Sequence, residues 1–244
     1  MGARRRQDIG RPGGPLAAVH TLTFDVFGTL LDLATSLTPP LQRFLDQAGQ
    51  QGEARDLWAR WRHRQRIEQY QDTLLMQGHA GYLETARRAL LYVLRQASIP
   101  FTPQQIEGVM AAWQGLHPFP DVRGALPRLK ARYRLAVLSN GERPFLEHLV
   151  KNRLRFPFDA VISVQEVGAF KPHPAVYRAA ARILEAEPHQ LLMVSANSFD
   201  VMGARSCGYR AAWIDREGLP YEETLYRPNL VLRDLRELAD RLGC

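Results

Sequence analysis

Three polar clusters in this chain each follow directly on an apolar run, and that placement limits the possible folds more than any other feature. The runs are roughly Thr21–Phe27, Leu135–Leu138 and Leu191–Val194. The clusters are Asp25-Val26-Phe27-Gly28-Thr29, Ser139-Asn140-Gly141 and Ser195-Ala196-Asn197-Ser198-Phe199-Asp200. Further runs at Ala160–Val164 and Ala211–Ile214 alternate with segments of helical character at Pro144–Lys151, Pro174–Leu184 and Val201–Cys207. A last strand and helix are predicted at Leu230–Val231 and Leu235–Leu242. Such alternation predicts an α/β fold with a Rossmann-like, doubly wound parallel sheet. Ligands of these sheets bind in the crevice beyond the carboxyl ends of the strands. The clusters should therefore converge at one edge, with a lysine supplied by the loop Phe170-Lys171-Pro172.

The stretch 35–117 breaks this rhythm. Leu41, Phe44, Leu45 and Ala48 recur at helical spacing, as do Leu83, Ala86, Leu90 and Leu91, and no convincing strand intervenes. It reads as a helical cap inserted into a core formed by 19–34 and 118–244, with hinges at Leu31–Thr35 and Pro118–Asp121. Residues 1–18, rich in arginine, glycine and proline, read as a flexible basic arm.

Composition removes several classes. At 244 residues and 45% hydrophobic the chain can bury a full core. No apolar run approaches a membrane span, and the basic start lacks the apolar stretch of a secretory signal, so a cytoplasmic protein is expected. The net charge of +7 falls to +4 once residues 1–20 are set aside, too diffuse to predict a nucleic-acid partner. Cys207 and Cys244 lie far apart, Cys207 expected as core filler and Cys244 as a loose terminal thiol. The seven histidines show no metal-binding spacing.

Asp25 ends an apolar strand and precedes Gly28, which permits a sharp turn beneath a ligand, while Thr29 can set a hydroxyl beside the carboxylate. A carboxylate so placed is a candidate nucleophile, dividing a difficult displacement into two steps through an ester.

Taken together, these stretches resemble the haloacid dehalogenase superfamily, and specifically its L-2-haloacid dehalogenase (type II) branch. The matching residues are Phe24-Asp25-Val26-Phe27-Gly28-Thr29-Leu30, Leu138-Ser139-Asn140-Gly141, Lys171-Pro172 with Tyr177, and Ser195 to Asp200. Their order and approximate spacing agree over 20–235, with a cap of the right size between. Phosphatases of the superfamily carry a general-acid aspartate two residues after the nucleophile; here that position is Phe27. Halide leaves without a proton, so a dehalogenase needs no such acid. The last motif also leaves few carboxylates for the magnesium that a phosphate dianion demands, so neither a metal nor an organic cofactor is expected.

The resemblance implies the remaining roles. Lys171 reaches into the site to pair with Asp25, Asn197 and Ser195 hold the hydrolytic water, and Asp200 either pairs with the same lysine or helps activate that water. Ser139 and Asn140 hold the substrate carboxylate, with Asn140 also facing the departing halide. The cap arginine of the branch lies in a Trp-Arg-x-x-Gln context, matched by Trp61-Arg62-His63-Arg64-Gln65, so Arg62 is chosen to stabilise the halide. Arg60 and Arg66 stay open as alternatives of register and are otherwise assigned to a solvated face. Phe199 lines the apolar side of the halide pocket, Tyr177 bonds within the site, and Leu45 and Trp61 either close the pocket or pack the cap. Phe27 stands where many branch members have tyrosine, and Phe199 closes a segment that often ends in tryptophan. The implied reaction converts a short 2-haloalkanoic acid to a 2-hydroxy acid with inversion, in a possible homodimer. Open alternatives are a magnesium-dependent phosphatase, a hydrolase of fluorinated or strained-ring acids, and a catalytically idle binding fold.

Overall fold

The computed structural model describes residues 14–244. Most of the predicted basic arm lies outside them. Near its end Leu16 is buried in the main hydrophobic cluster, as is Val19 just beyond it.

The chain enters the sheet through β1 (Thr21–Phe24), whose four residues are all buried. It then forms β2 (Leu31–Asp32) and four helices, α1 (Leu33–Gln47), α2 (Ala54–Leu74), α3 (Tyr82–Gln96) and α4 (Pro103–Ala111). A second short strand, β3 (His117–Pro118), pairs antiparallel with β2, so the chain leaves and re-enters the core through one ribbon. The rest alternates: α5 (Val122–Lys130), β4 (Arg134–Ser139), α6 (Arg143–Leu149), β5 (Ala160–Ser163), α7 (Pro174–Ile183), β6 (Leu191–Ser195), α8 (Ser198–Ser206), β7 (Arg210–Ile214), β8 (Leu230–Leu232) and α9 (Leu235–Leu242). The six long-range strands form one parallel sheet in the order β5-β4-β1-β6-β7-β8. The predicted fold class holds. Because β1 lies between β4 and β6, the three polar clusters leave adjacent strands at one edge.

Two local expectations are corrected. β1 stops at Phe24 rather than Phe27, because the Val26 carbonyl accepts the amides of both Leu30 and Leu31 at 3.0 Å and folds the chain back. The first hinge is largely structured: Leu31 and Asp32 join the ribbon, and Asp32 caps α1 by accepting the Thr35 amide at 3.0 Å. Three side chains of the predicted α1 stripe, Leu41, Phe44 and Leu45, are buried. In α3 the buried stripe includes Ala86 and Leu90, whereas Leu83 and Leu91 are half-buried at its margin.

Helix α2 is polar overall and is not held by an apolar stripe. Arg64 and Arg88 reach Glu68 at 2.6 and 3.7 Å, and Arg88 reaches Asp72 at 2.5 Å, pairing α2 with α3 through charge. Aromatic rings bind this layer to the core: Phe27 stacks on Tyr82 with centroids 3.9 Å apart, and Trp113 meets Trp61, Tyr82 and Phe27 edge-on. Cys207 and Cys244 are free and half-buried. Among the described residues, no helix is long and apolar enough to cross a membrane.

Candidate active site

Asp25 is the first residue past β1, and its amide still donates to Val194 of the neighbouring strand at 3.0 Å. The turn that follows needs Gly28 at φ +85°, a conformation that costs a residue with a Cβ. It returns Thr29 to Asp25, whose Oδ2 accepts the Thr29 hydroxyl at 2.8 Å and Asn197 Nδ2 at 2.9 Å. The Thr29 hydroxyl in turn accepts the Ala196 amide at 2.9 Å, tying the β1 loop to the β6 loop. Among the described residues Oδ1 accepts one bond, a longer one, from Lys171 Nζ at 3.3 Å. One carboxylate oxygen is therefore anchored by two short bonds, and the other by one longer one, on a residue that lines the pocket.

Lys171 is almost fully buried and lies between two carboxylates, with Asp200 Oδ2 at 2.8 Å. Burial raises the proton affinity of Asp200; Lys171 opposes that rise and the charge of Asp25 adds to it. Asp200 Oδ1 accepts the Tyr177 hydroxyl at 2.8 Å. Tyr177 fits there because residue 203 is glycine: a Cβ at that position would stand 2.6 Å from the tyrosine ring.

Helix α2 closes the crevice from above. Arg62, Arg66 and Gln69 follow at i, i+4 and i+7 and so share one face. Arg62 Nη1 donates to Gln65 Oε1 at 2.9 Å and to the Tyr82 hydroxyl at 3.0 Å. Burial pushes the Tyr82 phenol up to about 12 despite the nearby Arg62 charge, which keeps it a neutral acceptor. Arg66 Nη2 donates to Asn197 Oδ1 at 3.2 Å, and its guanidinium lies 5.6 Å from the Phe199 ring centre. Gln69 accepts from Asn140 Nδ2 at 3.1 Å. His79, between α2 and α3, bonds the Asn140 carbonyl at 2.8 Å and stacks on Phe170; burial lowers its proton affinity.

These contacts enclose a small pocket that brings together six of the predicted residues: Asp25, Arg62, Asn140, Lys171, Asn197 and Phe199. Others stand behind it. Thr29 and Asp200 touch its lining residues, whereas Ser195 accepts the Asn197 amide at 3.1 Å and Ser139 accepts the Gly141 amide at 3.4 Å. Tyr177 bonds within the site as expected, through Asp200, but it is fully buried beneath that residue and does not line the pocket against a substrate. Both ends of the Asn140 side chain are committed within the protein, Oδ1 accepting the Lys171 amide at 2.9 Å and Nδ2 reaching Gln69. Leu45 is core, and Trp61 is packed inside the cap with its indole N–H on the Ala86 carbonyl at 2.6 Å.

Two lining residues were missed, Gln69 and Tyr82, and Arg66, weighed only as an alternative of register to Arg62, lines the pocket alongside it. Arg60 is exposed, as the solvated-face reading requires, but Arg66 is not on that face. The signal for Arg66 and Gln69 was available, since they lie one and two turns beyond Arg62 on the same side of the helix. Nothing in the sequence around Tyr82 marks it.

The donor set does not suit a metal ion. The Asn197 side chain turns its Nδ2 toward Asp25 and the Phe27 carbonyl, and the Lys171 ammonium fills the space between Asp25 and Asp200. Among the described residues, no three His, Cys, Asp or Glu side chains group to hold a cation.

A model of haloacid dehalogenase-like hydrolases matches residues 19–208. An (S)-2-haloacid dehalogenase of Pseudomonas putida is 31% identical over 92% of this chain and 98% of its own. A haloacetate dehalogenase of Moraxella sp. (strain B) is 30% identical over 88% of this chain and 93% of its own. Among solved structures, the L-2-haloacid dehalogenase of Xanthobacter autotrophicus with chloropropionic acid covalently bound superposes with a TM-score of 0.80. It is 28% identical, covering 92% of this chain and 98% of that one.

Proposed function

The chain belongs to the haloacid dehalogenase-like hydrolase family, and on that premise we propose that it hydrolyses short 2-haloalkanoic acids to 2-hydroxy acids and halide through an aspartyl ester. The observation that carries this reading is the asymmetry of Asp25: Oδ2 is anchored by Thr29 and Asn197, while Oδ1 has a single long contact. Oδ1 attacks C2 from the side opposite the halogen. The C–O bond forms as the carbon–halogen bond breaks, the electron pair leaves with the halide, and the configuration at C2 inverts. Phe27 offers no proton at this step, and halide needs none.

Arg62 stabilises the charge growing on the halogen, beside the apolar faces of Phe27 and Tyr82. Water then attacks the Asp25 carbonyl carbon. Its proton passes by way of Lys171 toward Asp200, whose burial makes it a competent acceptor. Asn197 holds the ester carbonyl oxygen Oδ2, where the tetrahedral charge develops. On collapse the bond between the carbonyl carbon and Oδ1 breaks, and the proton returns from Asp200 to the departing alkoxide to give the 2-hydroxy acid. The new Asp25 carboxyl loses its remaining proton to solvent. Ser195, Ser139 and Tyr177 act by fixing Asn197, the β4 turn and Asp200 respectively. Closure by α2 excludes bulk water and strengthens each of these contacts. The exposed Leu74, Leu75 and Met76 at the end of α2 offer apolar surface for pairing two copies.

Halide release from L-2-chloropropionate should survive excess EDTA, while p-nitrophenyl phosphate stays uncleaved with added magnesium. Loss of dehalogenation to the chelator, with magnesium-restored phosphatase turnover, would reverse the assignment.

Arg62→Ala should lower kcat roughly 100- to 1000-fold, the usual cost of one preorganised donor to a developing anion. Arg60→Ala should match the parent enzyme. A change confined to KM in Arg62→Ala would remove the residue from the leaving-group role.

A further inference from the structure

The pocket contains one more cation than the scheme above uses. The buried row Asp25, Lys171, Asp200 carries a net charge of −1. Arg62 and Arg66 add two positive charges, and neither has a carboxylate partner among the described residues. With both present the site is +1, which a monoanionic substrate neutralises.

The two guanidiniums are not equivalent. Arg62 is fixed by Gln65 and Tyr82 beside the apolar rings, a setting suited to a polarisable halogen. Arg66 is held on the opposite side by Asn197 and Phe199, and its Nε is buried with no hydrogen-bond partner. A buried, unsatisfied charged donor is costly, and an anion at that point removes the cost. Burial and the charge of Arg62 both disfavour the Arg66 cation, and a bound anion would offset both. Asn140, the residue expected to hold the substrate carboxylate, has both ends of its amide occupied by Lys171 and Gln69.

We propose that Arg66 binds the substrate carboxylate, leaving Arg62 to the halogen, so that the two arginines divide the two anions of the reaction between them. Arg66 and Arg62 both line the inner cavity and an adjoining chamber of about 440 Å³, whereas Asp25 lines only the inner one. An acid entering through that chamber meets both arginines before Asp25. The enzyme would select acids over neutral haloalkanes by this contact.

The inference rests on the dehalogenase reading, and the test separates the two. Binding of propionate and of bromide is measured by tryptophan fluorescence in the parent, Arg66→Gln, Arg66→Lys and Arg62→Gln proteins, with steady-state halide release from L-2-chloropropionate beside it. Arg66→Gln should weaken propionate about 10- to 100-fold, the range for one charged hydrogen bond, with bromide changed less than threefold. Arg62→Gln should do the reverse. In turnover Arg66→Gln should raise KM far more than it lowers kcat, and Arg66→Lys should recover part of the loss. Propionate binding that is insensitive to Arg66→Gln, or both variants weakening both anions alike, would overturn the division. A parent enzyme that binds propionate through Arg66 yet releases no halide from any haloacid would instead overturn the function.

Discussion

Asp25→Asn is expected to abolish halide release, lowering kcat by about ten-thousand-fold or more, as removal of a covalent nucleophile does. The size follows from what the carboxylate supplies. Oδ1 is the atom that forms the new bond, and an amide oxygen is a far weaker nucleophile without the full charge. An amide keeps one acceptor oxygen: placed at Oδ2 it retains the Thr29 and Asn197 donors, and its NH2 then faces the Lys171 ammonium. A trace of activity that grows with incubation would mark deamidation back to aspartate. The covalent route has its own readout. In a single turnover in oxygen-18 water, label should enter the Asp25 carboxylate before it enters the product, since water attacks the ester carbonyl and not C2. Label reaching the 2-hydroxy acid directly, with none in the protein, would replace the ester with a water displacement at C2 and reduce Asp25 to a base.

The features legible in the sequence are those set by local pattern. Asp25, Asn140 and Asn197 each follow an apolar run, and parallel pairing of β1 with β4 and β6 carries all three to one edge. Lys171 was legible too, because a lysine between an aromatic residue and a proline in a loop has few reasons to stay there as a solvated charge. The ribbon of β2 and β3 was not, since two residues per strand carry no periodicity. Nor was the depth of Tyr177: its distance from Lys171 along the chain suggests the pocket, but the missing Cβ at Gly203 lets it sink beneath Asp200. Arg66 shows the sharper limit. Helical spacing puts it on the side of Arg62, yet whether a charged helix face meets water or a ligand depends on how α2 lies against β4 and β6. That contact is made by Gln69 with Asn140 and Arg66 with Asn197, both distant in the chain.

Lys171→Met should cost about 3–5 kcal/mol of folding stability and remove dehalogenation, because it strips the shared cation from two buried carboxylates. Asp25 and Asp200 are both below a tenth exposed, and the lysine ammonium is the cationic contact each makes. Without it Asp200 retains only the Tyr177 hydroxyl, while its burial and the charge of Asp25 still favour the protonated form. The sign of the pH dependence follows. A carboxyl whose proton affinity is raised on folding takes up a proton as the chain folds, so its favourable term is complete below the unfolded value of about 3.9 and is lost as pH rises through the higher folded value. In the parent, Lys171 and the Tyr177 hydroxyl counter that rise; in the variant the hydroxyl alone does. The stability deficit, measured by urea unfolding, should therefore narrow from pH 8 to pH 5. A deficit that stays constant across this range would mean that Asp200 is not the stranded charge, and that the cost of losing Lys171 lies in packing around its four-carbon stem.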